Sequence, residues 1–333
     1  MKFYKLIFTL TLMLGTMITI SANSWFSMWI GLEINLVSII PLLKTHNNML
    51  SSEASIKYFV TQALASTLIL FSIISIQLME INYFISQAFS LSLDSALLTK
   101  MGAAPFHFWF PEVLEGLTWI NCLIMLTWQK IAPMIIIMFN SYLTMMMIIV
   151  ILISMTISSI MGFNQMSLRK IMAFSSINNI GWMLSIMFIS QSIWLIYFCI
   201  YSIITISIIQ IFNMFNLFYL NQFLNYFSNA PMTKLFLSLN FMSLGGLPPF
   251  LGFLPKWLTI NELIENNFFW LTFFMIILTL IMLYIYIRIM FSSTLIISNK
   301  SKNNSSNMNF WSMFFNFLSI FSLILYSLVF TLS

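Results

Sequence analysis

Long apolar stretches follow one another along almost the whole of this 333-residue chain, and only short polar connections separate them. A helix needs about 20 apolar residues to cross a membrane, and the stretches approach that length. They predict eleven transmembrane helices, at residues 3–21, 25–43, 55–78, 85–102, 118–139, 142–162, 168–189, 192–217, 234–262, 268–291 and 309–331. The pattern therefore predicts an all-α polytopic membrane protein. The first stretch also resembles a signal peptide, but we expect a retained helix because the rest of the chain is equally apolar.

Composition agrees with a membrane protein and excludes several other classes. Hydrophobic residues make up 60% of the chain and charged residues 6%, whereas soluble domains carry about a quarter charged residues. The net charge of +5 is spread over single residues with no basic stripe, so we expect no nucleic-acid partner. Cys122 and Cys199 both lie within apolar stretches, which excludes a disulfide framework and a cysteine-based metal site.

Basic residues fall on one side of the predicted helices. When the spans are threaded through a membrane, ten of the 13 Lys and Arg residues lie on the side of the N-terminus. They are Lys2, Lys5, Lys44, Lys57, Arg169, Lys170, Lys234, Arg288, Lys300 and Lys302. The other side carries Glu80, Glu262 and Glu265 and neither Lys nor Arg. Cytoplasm-like membrane faces collect Lys and Arg, so we expect the N-terminus and the loop 298–309 on that face and Ser333 on the opposite one.

The pattern G-x-x-P-F-x-x-x-x-P occurs twice. It covers Gly102–Pro111, after the predicted fourth helix, and Gly246–Pro255, within the predicted ninth. The chain has only nine Gly and eight Pro, so their clustering predicts a helix break at each copy. The helices that carry the two copies are five spans apart and run in opposite directions. Broken helices at matching positions mark the transport path in transporters with inverted repeats.

This arrangement predicts three parts of the chain. Residues 1–140 and 141–292 form two inverted five-helix repeats with discontinuous helices, and residues 293–333 form a loop and one C-terminal transmembrane helix. The alternative is that two unrelated proline-containing loops share a short motif by chance. The opposite directions of the two helices favour the repeat.

Four ionisable residues lie inside predicted spans or at their breaks, where a charge is costly and usually marks an ion or proton path. They are Glu33, Lys100, Lys130 and Lys256. Lys130 is near the middle of the fifth span, and Pro133, one turn later, is expected to loosen the helix there. A lysine between an apolar environment and a carboxylate can load and release a proton. A fixed structural ion pair is the alternative for Lys130.

The other charges inside the spans suggest partners. Glu33 is central in the second span, where an isolated carboxylate would be neutral, so it needs a basic partner to stay ionised. Lys100, at the end of the fourth span, is the natural candidate; a lysine that snorkels to the membrane surface is the alternative. Lys256 follows the second break, at the start of a helix, where the helix dipole disfavours a cation.

Three further residues near the first break are candidates. His107 lies between two of the lysines along the chain, and its ordinary titration range suits a proton relay, although a structural histidine is the commoner case. The participation of Asp94 and Glu112 stays open. The chain shows no phosphate-binding loop, no metal-ligand spacing and no histidine pair for haem, so any coupled redox chemistry is expected in another subunit.

Six segments together resemble one known family: GLEINL, EASIKYFVTQALAS, KMGAAPFHFWFPEVLEGLTW, LTWQKIAP, SLRKIMAFSSINNIGWM and LGGLPPFLGFLPKW. They are similar to the antiporter-like membrane subunits of mitochondrial NADH:ubiquinone oxidoreductase, respiratory complex I, in a form like that of arthropods. The resemblance covers essentially the whole chain. It implies a fold of two inverted repeats, from which the animal form has lost the first helices.

The resemblance also implies roles for the charged residues. Glu33 and Lys100 match the family's paired glutamate and lysine, and Lys130 matches its central lysine. Lys256 matches the lysine on the second broken helix, and His107 matches a histidine after the first break. In the family these groups lie on a hydrophilic axis in the membrane plane, and quinone reduction elsewhere in the complex drives proton transfer through them.

Cofactors, partners and location follow from the same resemblance. It implies that this chain binds no cofactor, because NADH, FMN, the iron–sulfur clusters and ubiquinone belong to other subunits. It implies membrane-arm partners, including neighbouring antiporter-like subunits, together with phospholipids such as cardiolipin, in the mitochondrial inner membrane with the N-terminus in the matrix. Two other functions stay open from the residues alone: a stand-alone cation/proton antiporter, and a scaffold that transfers no protons.

Overall fold

All secondary-structure elements in the described part of the chain are α-helices, which confirms the predicted all-α class. The structure, a computed structural model, describes residues 3–44, 48–78, 83–139, 145–222 and 231–295, with Met313, Phe314, Asn316, Phe317 and Ser319. The predicted loop 298–309 and most of the predicted eleventh span lie outside the described residues. The chain divides into two compact units, Met1–Met146 and Met147–Ser333.

The first unit contains α1 to α7. These helices are α1 Phe3–Ser21, α2 Trp25–Leu43, α3 Met49–Leu78, α4 Tyr83–Met101, α5 Trp109–Gly116, α6 Trp119–Leu126 and α7 Trp128–Phe139. The predicted fifth span is broken at Thr127 and not at Pro133, which α7 accommodates in its interior. The Thr127 hydroxyl donates to the carbonyl oxygen of Leu123 at 2.7 Å, and such back-bonding bends membrane helices. Lys130 therefore lies just after a break.

Close packing in the first unit brings its charged helices together. A Cβ on Gly31 of α2 would stand 2.9 Å from the Gly15 carbonyl oxygen of α1, so the two backbones nearly touch. Small residues allow such an approach between membrane helices. Helix α7 packs against α1, α2 and α4. Glu33, Lys100 and Lys130 consequently lie on three neighbouring helices.

The second unit contains α9 to α13 and most of α8. These helices are α8 Met145–Gly162, α9 Leu168–Met187, α10 Gln191–Phe215, α11 Pro231–Gly245, α12 Phe253–Glu265 and α13 Phe269–Leu295. Helix α9 is central, because every residue from Ile171 to Met187 is buried and α10, α12 and α13 all pack against it. Its polar run, Ser175–Asn179, is therefore enclosed by the other helices.

Both units have apolar outer faces and polar groups inside. Trp270 and Leu14 are 78% and 59% exposed, whereas Gln62 and Asn179 are each only 4% exposed. Soluble proteins seldom bury polar side chains in this way. The arrangement suits a hydrocarbon solvent, in which polar groups must find their partners within the protein.

Seven spans in the described residues are long and apolar enough to cross a membrane. They are Phe3–Ser21, Trp25–Leu43, Met49–Leu78, Trp119–Phe139, Met145–Gly162, Gln191–Phe215 and Phe269–Phe291. Helices α4 and α9 occupy the predicted fourth and seventh spans, but their polar residues lower their hydropathy. Helices α11 and α12 are two halves of the predicted ninth span. The chain is therefore of multi-pass membrane type, and the count of eleven stays a prediction.

Described residues near the C-terminus dock on α11 through side-chain hydrogen bonds. The Asn240 amide donates to the Asn316 side-chain oxygen, and the Ser319 hydroxyl donates to Asn240 Oδ1 at 2.6 Å. All three side chains are fully buried. Hydrogen bonds of this kind hold membrane helices together. Residues from the C-terminal part of the chain therefore hold α11 at Asn240, a few residues before the helix ends.

Candidate functional site

The two repeated motifs begin with the same helix cap. In each, the Gly amide donates to the carbonyl three residues back and the next amide donates to the carbonyl five residues back, at 3.0 to 3.3 Å. Gly102 and Gly246 have φ values of +73° and +78°, in the left-handed region that glycine adopts without strain. These are the bonds of a Schellman cap, which satisfies the last carbonyls of a helix. Both predicted breaks are therefore present, and the next helices begin at Trp109 and Phe253.

Glu33 and Lys100 interact across the first unit. Lys100 lies in the last turn of α4 and is 6% exposed, and the Glu33 carboxylate of α2 is close enough to act on it electrostatically. The backbone at Lys100 is held from a third helix, because Gln62 Nε2 of α3 donates to the Lys100 carbonyl oxygen at 3.4 Å. In the described residues these two side chains do not form a direct ion pair, so the acid acts on the base only at longer range.

Lys130 is tied to the first motif through an aromatic ring. Its side chain is 1% exposed, and Nζ lies 5.6 Å from the centroid of the Phe110 ring in α5. The Phe110 Cβ in turn packs against Gly102, where an added Cβ would stand only 3.0 Å away. A cation over an aromatic face is stabilised without a counter-charge. The geometry of the break therefore sets the surroundings of Lys130.

His107 makes its contacts within the first break. It is 2% exposed, its Nδ1 lies 3.3 Å from the Pro105 carbonyl oxygen, and its ring lies 4.5 Å from that of Phe108. A neutral histidine that donates through Nδ1 keeps Nε2 as a proton acceptor. His107 thus supports the loop and retains one nitrogen suited to a relay.

Asp94 and Glu112, whose participation the sequence does not decide, differ in burial. Asp94 is buried within α4. Glu112 is largely exposed, and its carboxylate accepts from Lys57 Nζ at 2.8 Å; the same lysine pairs with Glu53 at 2.9 Å. Exposed ion pairs of this kind contribute little to stability, because water and salt screen them. Glu112 therefore fastens α5 to α3 at the surface, apart from the buried lysines.

The Lys256 side chain in the second unit reaches across the helix break, from the start of α12 back to the end of α11. It belongs to the first turn of α12, yet its Nζ donates to the carbonyl oxygens of Leu244 at 3.2 Å and Gly245 at 2.9 Å. Those two carbonyls end α11, where the helix dipole is negative and a cation is favoured. The side chain is 8% exposed, so it makes these bonds in the interior.

The predicted electrostatic environment of Lys256 is corrected by this geometry. The sequence places the Lys256 backbone at the positive end of α12, and that placement is right. The ammonium, however, lies at the negative end of the preceding half-helix. The four-carbon stem of lysine carries its charge far from its own backbone, so the position of the residue in a helix does not reveal which helix end the charge meets.

A buried polar cluster in the second unit was not among the predicted site residues. The Tyr197 hydroxyl donates to Asn179 Oδ1 at 3.0 Å. The Tyr201 and Tyr286 side chains bond to Ser176 and Ser175 of the same α9 run. The signal was present in the sequence as SSINN within a predicted span, because polar residues in hydrocarbon need partners. The identity of those partners required the structure.

Part of this cluster lines one cavity together with Lys256. It is lined by Asn179, Tyr197, Ile200, Tyr201, Ile204, Ser243, Leu244, Gly252, Pro255 and Lys256. Hydroxyl, amide and ammonium groups thus face a common space between α9, α10, α11 and α12. Such a set can hold and pass a proton. In the described residues, no group of three or more His, Cys, Asp or Glu side chains is arranged to hold a metal ion.

Gly246 provides a test of how tightly the break holds Lys256. We expect Gly246→Ala to lower the midpoint of heat-induced aggregation of the detergent-solubilised protein. The alanine would adopt left-handed backbone at a cost of about 1–2 kcal/mol, and its Cβ would stand 2.7 Å from Lys256 Cδ. Gly245→Ala is the matched control, because its nearest contact is 3.4 Å, to Leu283. Equal midpoints for the two variants would contradict this account.

Comparisons with known proteins agree with the all-helical membrane fold. A family model described as NADH:quinone oxidoreductase/Mrp antiporter, TM, matches residues 22–282. Two insect proteins, from Anopheles gambiae and Aedes aegypti, are each 49% identical over 332 residues, which is 97% of this chain and 97% of theirs. Both are named NADH-ubiquinone oxidoreductase chain 2.

The fold is also that of a solved structure. One chain of respiratory complex I from Thermus thermophilus superposes with a TM-score of 0.85 at 19% identity, over 96% of this chain and 79% of that one. At this identity the likeness concerns the fold alone. The family model and the insect relatives, by contrast, match most of the sequence itself. The chain therefore belongs to the NADH:quinone oxidoreductase/Mrp antiporter family.

Proposed function

We propose that this chain is a core membrane-arm subunit of respiratory complex I, NADH:ubiquinone oxidoreductase, and that it is an antiporter-like module which moves protons. NADH oxidation and ubiquinone reduction take place in other subunits, which hold NADH, FMN, the iron–sulfur clusters and ubiquinone. The observation that carries the proposal is the burial of Lys100, Lys130 and Lys256 beside helix breaks in an apolar chain. Full-length similarity to complex I subunits supports it.

Proton transfer by these lysines follows from their surroundings. Burial disfavours the charged form of a lysine, while a carboxylate, a carbonyl or an aromatic face favours it. Lys130 and Lys256 are held by an aromatic ring and by backbone carbonyls, respectively. A small displacement of these partners therefore changes whether the lysine holds its proton.

Glu33 and Lys100 form the coupled pair of this proposal. The Glu33 carboxylate favours the charged form of Lys100 across α2 and α4. A change in the charge of Glu33 would therefore change how well the Lys100 ammonium is stabilised. A proton that arrives at Glu33 consequently favours release from Lys100, which passes a signal along the membrane plane.

Full-length relatives favour this function over a stand-alone cation/proton antiporter. The insect proteins cover 97% of the chain and carry the name of a complex I subunit. The fold alone would not decide, because a chain of the Mrp complex from Dietzia sp. is also similar, with a TM-score of 0.78. A scaffold without proton transfer would not require three buried lysines.

Eleven spans, inverted repeats and the sidedness of the termini complete the proposal. The N-terminus and the α8–α9 connection face the matrix, and the C-terminus faces the intermembrane space, as the positive-inside rule indicates. The exposed apolar faces contact neighbouring antiporter-like subunits and phospholipids of the mitochondrial inner membrane. Exposed side chains such as Phe71 and Trp270 supply that surface.

Substitution of the central lysine tests proton transfer directly. We expect Lys130→Met to allow assembly of the complex and to reduce coupled NADH:ubiquinone turnover several-fold or more, because methionine fills the same apolar site without a titratable group. Lys44→Met is the control, since Lys44 is exposed at the end of α2. Both rates are measured in proteoliposomes with purified complex. Normal turnover and proton yield in an assembled Lys130→Met complex would remove Lys130 from the obligatory path and favour a scaffold.

Cysteine labelling tests the proposed orientation. In a Cys199→Ser background, which removes the exposed cysteine and leaves the buried Cys122, we expect a membrane-impermeant maleimide to label Asn266→Cys in intact mitoplasts. Asn164→Cys should react only after the membrane is permeabilised. Both asparagines are exposed, one after α12 and the other after α8. The opposite labelling pattern would invert the topology.

A further inference from the structure

The cavity beside Lys256 contains a hydroxyl group that suits both charge states of the lysine. A lysine ammonium has three N–H donors. Within the described residues, Lys256 uses two of these donors in hydrogen bonds to the carbonyl oxygens of Leu244 and Gly245. The third remains for the cavity, which Tyr197 lines from α10.

The direction of the Tyr197 hydrogen bond is fixed by its partner. Asn179 Nδ2 donates to the Ser175 carbonyl oxygen at 2.9 Å, which leaves Asn179 Oδ1 to accept from the Tyr197 hydroxyl at 3.0 Å. An amide oxygen cannot donate, so the tyrosine must supply the proton of this bond. The lone pairs of the Tyr197 oxygen are therefore available to accept.

Tyr201 lines the same cavity but bonds to a serine and not to the asparagine. The Ser176 hydroxyl donates to the Ala173 carbonyl oxygen at 2.7 Å, so in the contact between Tyr201 and Ser176 the tyrosine is the donor. Asn179 and Tyr197 are 4% and 2% exposed, so neither exchanges its partner for bulk water. Mutual satisfaction of two buried polar groups would explain the hydrogen bond, but not its place on the wall of the lysine cavity.

We propose that Tyr197, oriented by Asn179, is a positioning residue for the proton of Lys256. When Lys256 is charged, the Tyr197 oxygen accepts its third N–H, directly or through one water, and donates to Asn179. When Lys256 is neutral, the tyrosine hydroxyl rotates and donates to the nitrogen lone pair. No covalent bond changes at Tyr197, and one rotation serves both states of the lysine. This inference rests on the proposed function of Lys256 as a proton carrier.

Tyr197→Phe in the assembled complex tests the proposal. We expect coupled turnover in proteoliposomes to fall several-fold and its solvent deuterium isotope effect to rise, because proton transfer at Lys256 becomes slower. NADH oxidation by an artificial acceptor, which bypasses the membrane arm, should not change. The control is Tyr284→Phe: Tyr284 is 53% exposed and stacks on Phe163 at 5.7 Å, and phenylalanine keeps that ring contact.

The outcomes separate this inference from the proposed function. Loss of assembled complex without a change in isotope effect would mean that Tyr197 is only structural, and unchanged turnover would also overturn the inference. If Lys130→Met impairs turnover while Tyr197→Phe does not, the proposed function stands and this inference fails. If no variant complex assembles, a high-resolution map of the unaltered complex decides. A direct contact or one bridging water between Tyr197 and Lys256 is expected, and an intervening side chain overturns the inference.

Discussion

The structure depends on one constraint: inside a membrane, each polar group must find its partner within the protein. Backbone amides and carbonyls freed by a helix break have no water to bond. The Schellman caps at Gly102 and Gly246 meet this demand for the backbone, and the Lys256 ammonium takes two carbonyls at the end of α11. The same constraint places the α9 polar run against the tyrosines of neighbouring helices. Polar groups are consequently gathered inside each unit, which is what a proton path requires.

The two breaks share a helix cap but differ in their charged residues. In the first unit the buried lysine, Lys100, precedes the break, and the residue ten after the glycine is Glu112, held at the surface by Lys57. In the second unit the residue ten after the glycine is Lys256, which is buried and turned back across the break. In both units the shared cap ends an apolar helix and leaves polar backbone groups at the break. The two breaks therefore place different charged groups in the interior of their units.

The helical class, the breaks and the buried charges were predictable because each has a local signature. Apolar length, the G-x-x-P-F pattern and a lone charge such as Glu33 are all read within a few residues. The break at Thr127, the reach of Lys256 to α11 and the bond of Tyr197 to Asn179 were not predictable. Each depends on how a side chain meets another turn or another helix, and hydropathy carries no information about such contacts. The run SSINN predicts that these polar residues have partners, but the sequence does not identify the partner residues.

The central claim is that charges buried in this chain act as coupled groups and not as isolated anchors. Glu33 and Lys100 allow the most direct test, because they lie on different helices and interact electrostatically. The measurement is a double-mutant cycle with Glu33→Gln, Lys100→Met and the combined variant, read as coupled turnover of assembled complex in proteoliposomes. The account predicts that each single change impairs turnover and that the combined loss is much smaller than the sum. Fully additive losses would contradict it.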